Sequence, residues 1–427
     1  MLESVAESIR KPVEDFFGGA SFGLFRGEAA PDRNAQGDNL LVKNFTTEAG
    51  TYHLVLERRP LPFTATEQAL AHELTEVLPI FIANRTSKTE LVYFRTALFS
   101  SFLDVSVCRY LSHNRQRTYW SIQKLLQLLK NLSFQRYEGA PATSGVIVYR
   151  NRLEDFRIAS SLADCLRHDF DPAIGISADF FKNPLTYRLV NGLGTYYMCN
   201  INLRSTGMIK FMNYGYRDAV ERLSHRDILS LIDKAGKGAF ATTITLASEL
   251  EVMTCPDNLF VWKKGNWSLF APDVFRGFLR GRLAPKELEA LITTVYSLSK
   301  LRLGTLILIA DENVLTSGNL QKGAVGGKDD LAQLIIGFFK SRTISSLKHS
   351  GELINILSAD GLSLFNKDGE LIDAGIIINT CTTPSLVTGG GRTTAAIAAS
   401  MFGKVIKVSE DGPITLHEHG ECVYRFG

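Results

Sequence analysis

The chain has 427 residues, 45% of them hydrophobic and 21% charged. That is a globular composition on a chain too long for one ordinary domain, so two or three domains are expected. A net charge of +3 with no basic run argues against nucleic acid as a partner.

In chain order, residues 1–25 show an amphipathic-helix pattern and then a GGASFG loop. Thr51 to Glu57 (TYHLVLE) alternates as a strand does. Residues 64–84 open on Thr64 and Thr66 and carry Glu67, Leu70, Leu74 and Leu78 at helical spacing. Residues 90–135 are strongly helical, and Thr118 to Phe134 keeps a 3.6-residue apolar rhythm. YEGAPATSG breaks that pattern at Tyr137 to Gly145. From 150 to 280 the signals are mostly β, with TYYMCNINL, GMIKFMNYGY and FATTITLASELEVMT as strands. Asn258 to Phe270 predicts a hairpin turning at Lys264-Gly265-Asn266. Its tryptophans, Trp262 and Trp267, and the Tyr196-Tyr197 pair suit core or hairpin packing better than a ligand site. Residues 1–145 therefore form an α+β N-terminal region and 146–280 a β-rich middle region, one sensor-like domain or two subdomains.

The texture changes at Pro285. Residues 281–427 make a separate domain of about 140 residues, within the single-domain range. Leu288, Leu291, Ile292, Val295 and Leu298 mark a helix. LGTLILIADE follows, apolar on both faces, as suits a central strand covered on both sides. A helix is expected over Asp329 to Arg342, then strands over Leu353–Leu357 and Gly361–Phe365 with Ser358-Ala359-Asp360 as the turn between them. Lys367-Asp368-Gly369 turns the chain into the strand ELIDAGIIIN. A helix over 393–402, the strand KVIKV, the turn SEDG and a last apolar stretch complete the domain. The fold class expected is mixed α/β (α+β overall), with a central mixed sheet flanked by helices in the C-terminal domain.

The six cysteines are far apart and form no C-x-x-C pair, which argues against a zinc ribbon or a disulfide framework. The first residues carry acids and lack an apolar core, so they do not look like a signal peptide. No stretch approaches the ~20 apolar residues that span a bilayer, and a cytoplasmic location is expected.

The stretch with the most chemical content is Leu386 to Gly412, where Gly389-Gly390-Gly391 run into Arg392, Thr393 and Thr394 ahead of an alanine-rich helix. A glycine loop opening a helix can hold an anion: N–H groups are unpaired there and the dipole is positive. It can equally be an ordinary loop with Thr393 as helix N-cap. No Gly-Lys-Ser/Thr follows, so it is not a Walker A loop. Asp360-Gly361 reads either as turn chemistry or as a carboxylate aimed from a sheet end into a cleft. Glu410, beside Ser409, is a metal candidate or a solvated acidic turn. His417 and His419 would share one strand face, but a pair without a third ligand is a poor metal site. His168-Asp169 has no nucleophile motif beside it and reads as structural.

Three of these pieces, in order, resemble the diadenylate cyclase domain, which joins two ATP molecules into cyclic di-AMP. Gly304-Thr305-Leu306-Ile307 stands where that family has a Gly-Ala-Leu-Ile type run. Asp360-Gly361-Leu362 stands for its Asp-Gly-Ala motif. Gly390-Gly391-Arg392-Thr393-Thr394-Ala395-Ala396, then Ser409-Glu410-Asp411-Gly412, follow its Gly-Thr-Arg-His-Arg-Ala-Ala and Ser-Glu-Glu line, with Arg-Thr-Thr in place of Arg-His-Arg. The resemblance covers about the last third of the chain.

The resemblance implies an enzyme, a nucleotidyltransferase, under control of the N-terminal region. Asp360, Gly361 and Arg392 would be catalytic. Gly389, Gly390, Gly391, Arg392, Thr393, Thr394 and Ser409 would hold the nucleotide phosphates. Asp360 and Glu410 would bind Mg²⁺ or Mn²⁺, with ATP as substrate. Two such domains would meet face to face, so a homo-oligomer is implied. The alternatives are a catalytically degenerate nucleotide-binding regulator and a cyclase making a different cyclic nucleotide.

Overall fold

The computed structural model describes residues 2–27, 38–47, 50–83, 92–113, 116–150, 164–212, 219–236, 238–325, 330–380 and 390–427. The fold is mixed α/β. The chain divides into two units. One comprises Met1–Arg58, Pro62–Arg217 and His225–Ala271; the other comprises Arg59–Leu61, Asp218–Ser224 and Pro272–Gly427.

In the first unit the helix Leu2–Phe16 buries Ile9, Val13 and Phe16, one face at i, i+4 and i+7. The expected GGASFG loop is shorter than the sequence suggests, because strand β1 (Ser21–Arg26) begins inside it. Phe22 pairs with Leu56 and is buried, and that pairing overrides the glycine-rich local signal. Strands β2 (Leu40–Thr47) and β3 (Gly50–Glu57) complete an antiparallel sheet in the order β1-β3-β2. The helix Ala65–Ala83 starts on a capping box: Glu67 N–H donates to Thr64 Oγ1 at 3.2 Å and Thr64 N–H donates to the Glu67 carboxylate at 2.7 Å. The helical stretch 90–135 is two helices, Val92–Ser112 and Gln116–Ser133. Leu125, Leu126, Leu129 and Leu132 form the buried face of the second.

After a two-stranded pair, β4 (Arg136–Tyr137) and β5 (Ala140–Pro141), comes an eight-stranded sheet. Its strands are β6 (Ser144–Tyr149), β7 (Cys165–Gly175), β8 (Thr195–Asn200), β9 (Arg204–Phe211), β10 (Phe240–Ile244), β11 (Leu250–Thr254), β12 (Asn258–Lys263) and β13 (Asn266–Phe270). They lie in the order β13-β12-β11-β10-β6-β8-β9-β7, antiparallel except for β6 beside β8. Val146 is an interior residue of β6, and the chain on either side of it belongs to this unit. The β12–β13 hairpin turns on Lys264 and Gly265, both at positive φ (49° and 91°), the requirement of a primed two-residue turn. Trp262 and Trp267 face each other across it. Lys130 lies over both rings, 4.7 and 4.9 Å from their centroids, and pairs with Asp104.

The second unit is built on a six-stranded mixed sheet: β14 (Thr305–Ala310), β15 (Leu362–Phe365), β16 (Leu371–Ile376), β17 (Gly403–Val408), β18 (Ile414–Glu418) and β19 (Glu421–Phe426). The order is β16-β15-β14-β17-β18-β19. Only β14 and β15 run parallel within it. Every residue of β14 is buried, as its apolar run requires of a central strand. One sheet face packs on Phe275, from the helix Pro272–Phe278, against Tyr424, and on Tyr296, from the helix Pro285–Leu301, against Phe426. The other face joins Leu306, Leu308, Leu362, Leu364 and Val405 to Ala396 and Ala399 of the helix Gly391–Ala399.

Three local expectations are corrected. Leu353–Ser358 is a helix, not a strand: it buries only Leu353 and Leu357, an i, i+4 pair. The helix expected over 393–402 starts two residues earlier, at Gly391, and ends at Ala399. The helix over Asp329–Arg342 spans Asp330–Phe339, and Asp329 lies outside the described residues.

Candidate functional site

The sheet topology brings the separated motifs to one place. Leu362 on β15 sits beside Leu306 on β14, in parallel. Asp360 and Gly304 each lie two residues before that pair, at the same end of adjacent strands. On the other flank β17 runs antiparallel, with Val408 beside Thr305, so Ser409 and Glu410 leave the sheet at that end too. Neighbouring strands are roughly 5 Å apart. The first turn of the helix Gly391–Ala399 projects over the same end, because a Cβ built on Gly304 would lie 2.2 Å from Arg392 Nη1 and 2.9 Å from Glu410 Cγ.

Asp360 follows a helix rather than a strand. It is exposed, and its Oδ1 accepts a hydrogen bond from Gly361 N–H at 3.0 Å. Gly361 has φ 94°, and a Cβ there would meet the Gly375 carbonyl carbon at 2.7 Å and Gly375 Cα at 2.9 Å. No other residue fits: the conformation is left-handed and the backbone of β16 occupies the space.

At the glycine run, Gly389 lies outside the described residues. Gly390 is the N-cap residue, at φ −75°, and supplies no side-chain cap. Thr393, expected as a possible N-cap, is instead inside the first turn, with its N–H donating to Gly390 C=O at 2.8 Å. Thr394 N–H reaches the same carbonyl at 3.3 Å. A Cβ on Gly390 or Gly391 would meet none of the described residues within 4 Å, and neither glycine has a positive φ. Among the described residues, neither packing nor backbone conformation calls for glycine there, and the pair leaves the helix start open.

Arg392 Nη1 donates to Glu410 Oε1 at 2.6 Å. The pair is half exposed, at 39% and 69% for the two side chains, so it is worth little to stability. The turn carrying Glu410 is held by Ser409 N–H donating to Pro413 C=O and by Ser299 Oγ donating to Gly412 C=O.

Two residues of this region carry weak sequence signals. Gly304 is buried beneath the ion pair. Lys407, the second lysine of KVIKV, points to the helix side of the sheet and donates from Nζ to Thr393 Oγ1 at 2.9 Å. Burial lowers its pKa, Asp411 opposes that, and Arg425 and Arg392 add to it. Beyond Lys407, His417 Nε2 is 2.8 Å from Thr415 Oγ1, and burial, then Lys407, pushes its pKa down to about 4. His417 and His419 do not share a strand face. His417 is buried in β18, whereas His419 is exposed in a left-handed turn at φ 52°. No group of three or more His, Cys, Asp or Glu among the described residues is placed to hold a metal ion. No described helix is long and apolar enough to cross a membrane.

No protein-family model matches this chain, and no curated protein does. Among solved structures it is similar to a crystal structure of a double mutant of DacA from Staphylococcus aureus, at 19% identity over 32% of this chain and 84% of that one, with a TM-score of 0.24. A likeness that weak says nothing about activity.

Proposed function

We propose that the second unit is a nucleotide-binding domain of the diadenylate cyclase kind, condensing two ATP into cyclic di-AMP and pyrophosphate. The observation that supports this is the convergence of Asp360, Arg392 with Thr393, and Ser409 with Glu410 on one end of three adjacent strands. The open space at Gly390 and Gly391 lets phosphate oxygens approach the helix N–H groups. In each half-reaction a ribose 3′-oxygen would attack the α-phosphorus of the other ATP. The new O–P bond forms as the bond to pyrophosphate breaks, and the hydroxyl proton is lost.

Asp360 would orient the 3′-hydroxyl, and Arg392, released from Glu410, would engage the phosphates bidentately. Two carboxylates with substrate phosphates are a donor set suited to Mg²⁺ or Mn²⁺, which supplies charge neutralisation at the phosphates when bound. Asp360 and Glu410 are the residues that would hold it. In this reading two copies of the domain face each other, each carrying one ATP, and the first unit regulates them.

The test is to incubate the full chain with ATP and Mg²⁺ or Mn²⁺ and look for cyclic di-AMP by mass spectrometry. Asp360→Asn and Arg392→Ala should each abolish product with little loss of stability, since both side chains reach solvent. Product formation surviving both substitutions would sink the site assignment. The Arg392–Glu410 pair favours a second reading, a regulator that binds nucleotide without turnover. It predicts saturable ATP binding with no product from any of the four nucleoside triphosphates. A cyclic product from another nucleotide would instead point to altered substrate choice.

A further inference from the structure

We propose that Lys407 is the second phosphate-binding cation of this domain, reaching the nucleotide from beneath the first turn of the Gly391–Ala399 helix. The inference rests on the nucleotide-binding role proposed for the domain and adds a residue from a different element to its site.

Lys407 pairs with Leu306 of β14, one row inward from the sheet end where Gly304 lies under Arg392. Val405, two residues earlier on the same face, packs into the core under the helix. The strand thus carries an apolar contact at one position and an amine at the next position on that face.

The amine sits in costly surroundings. Lys407 is only partly exposed, and its hydrogen-bond acceptor is the neutral hydroxyl of Thr393, not a carboxylate. A hydroxyl returns little for the cost of desolvating an ammonium, and that cost is evident in the lowered pKa. Arg392 and Arg425 raise the cost further, and Asp411 offsets part of it. A methionine or leucine would fill the same space without the penalty. An ammonium there makes sense when an anion completes its shell, since it has three N–H donors and Thr393 takes one.

A triphosphate carries several negative charges, while the Arg392-Thr393-Thr394 turn offers one guanidinium, held by Glu410. Lys407 meets that turn from β17 and Arg392 extends from it over Gly304, so the two cations lie on the same face of the sheet, one row apart. Together with the helix N-terminus they make a cationic cradle for the phosphates.

The experiment uses the full chain and two probes, ATP and adenosine, with binding measured by calorimetry. Lys407→Met should weaken ATP roughly tenfold or more, the size of one charged hydrogen bond, and leave adenosine unchanged. Lys407→Arg should restore most of the ATP affinity. A purely structural role would move both ligands together. A second measurement needs no variant: acetic anhydride labelling of the wild-type chain, read by mass spectrometry, should show Lys407 protected by ATP but not by adenosine. If ATP binds the wild-type chain while Lys407→Met binds it equally, or Lys407 labels equally with and without ATP, the inference is overturned and the nucleotide-binding role stands. If the wild-type chain binds neither probe, the nucleotide-binding role falls and the inference falls with it.

Discussion

Arg392 and Glu410 meet at 2.6 Å directly over Gly304, a glycine whose missing side chain is the space they occupy. The atoms a new Cβ would strike belong to movable side chains, and no positive φ is involved, so a small residue there disturbs the pair and not the strand. Gly304→Ala should therefore shift the urea midpoint by well under about 1 kcal/mol in stability terms. It should not weaken ATP binding as Arg392→Ala does, because Arg392 has to leave Glu410 to engage the phosphates. Calorimetry on the two variants side by side checks this, and an equal loss of affinity in both would show that Arg392 binds from its place over Gly304 instead.

Gly361 behaves in the opposite way. Its φ of 94° and the Gly375 backbone at 2.7 Å leave no escape for a Cβ. Gly361→Ala should cost roughly 2 kcal/mol or more, through strain and a backbone clash. Chemical denaturation monitored by circular dichroism measures it, and product loss in that variant would report folding, not chemistry.

His417 sets a pH dependence. Its pKa falls from 6.5 to about 4 on folding, because burial and then Lys407 disfavour the cation. Above pH 6.5 both folded and unfolded states are neutral there and nothing is lost. Between 6.5 and 4 the unfolded chain takes up a proton that the folded one refuses, so stability declines as pH falls, by roughly 3 kcal/mol in all. His417→Gln should flatten the profile in that window; an identical slope in the variant would assign the effect to other groups.

In the first unit, Lys130 lies over two tryptophan rings and pairs with Asp104, which also accepts from Trp267 Nε1 at 2.6 Å. Lys130→Met keeps the packing volume but strands the carboxylate. Its expected cost is about 2–4 kcal/mol, with a change in tryptophan emission. Asp104→Asn in the same background should recover part of the loss if the stranded charge is the cause.

Read alone, the sequence determined the elements whose signals are local and redundant. The Thr64–Glu67 cap, the 3.6-residue rhythm through Leu132, the Lys264-Gly265 turn and the doubly apolar run of β14 each state their structure within a few residues. It also singled out Asp360, Arg392, Ser409 and Glu410 as chemistry-bearing residues. Where two structures share one short pattern, tertiary packing decided. Leu353–Leu357 is apolar enough for strand or helix, and Ser21–Arg26 is a strand only because β3 lies alongside. His417 and His419 looked like partners by spacing until the chain turned between them. The site itself was a matter of register. Nothing local to Gly304 or Lys407 says that one will lie under an ion pair and the other beneath a helix start. Those relations arise because β14, β15 and β17, far apart in sequence, pair in one sheet, and pairing alone fixes which residues share an end.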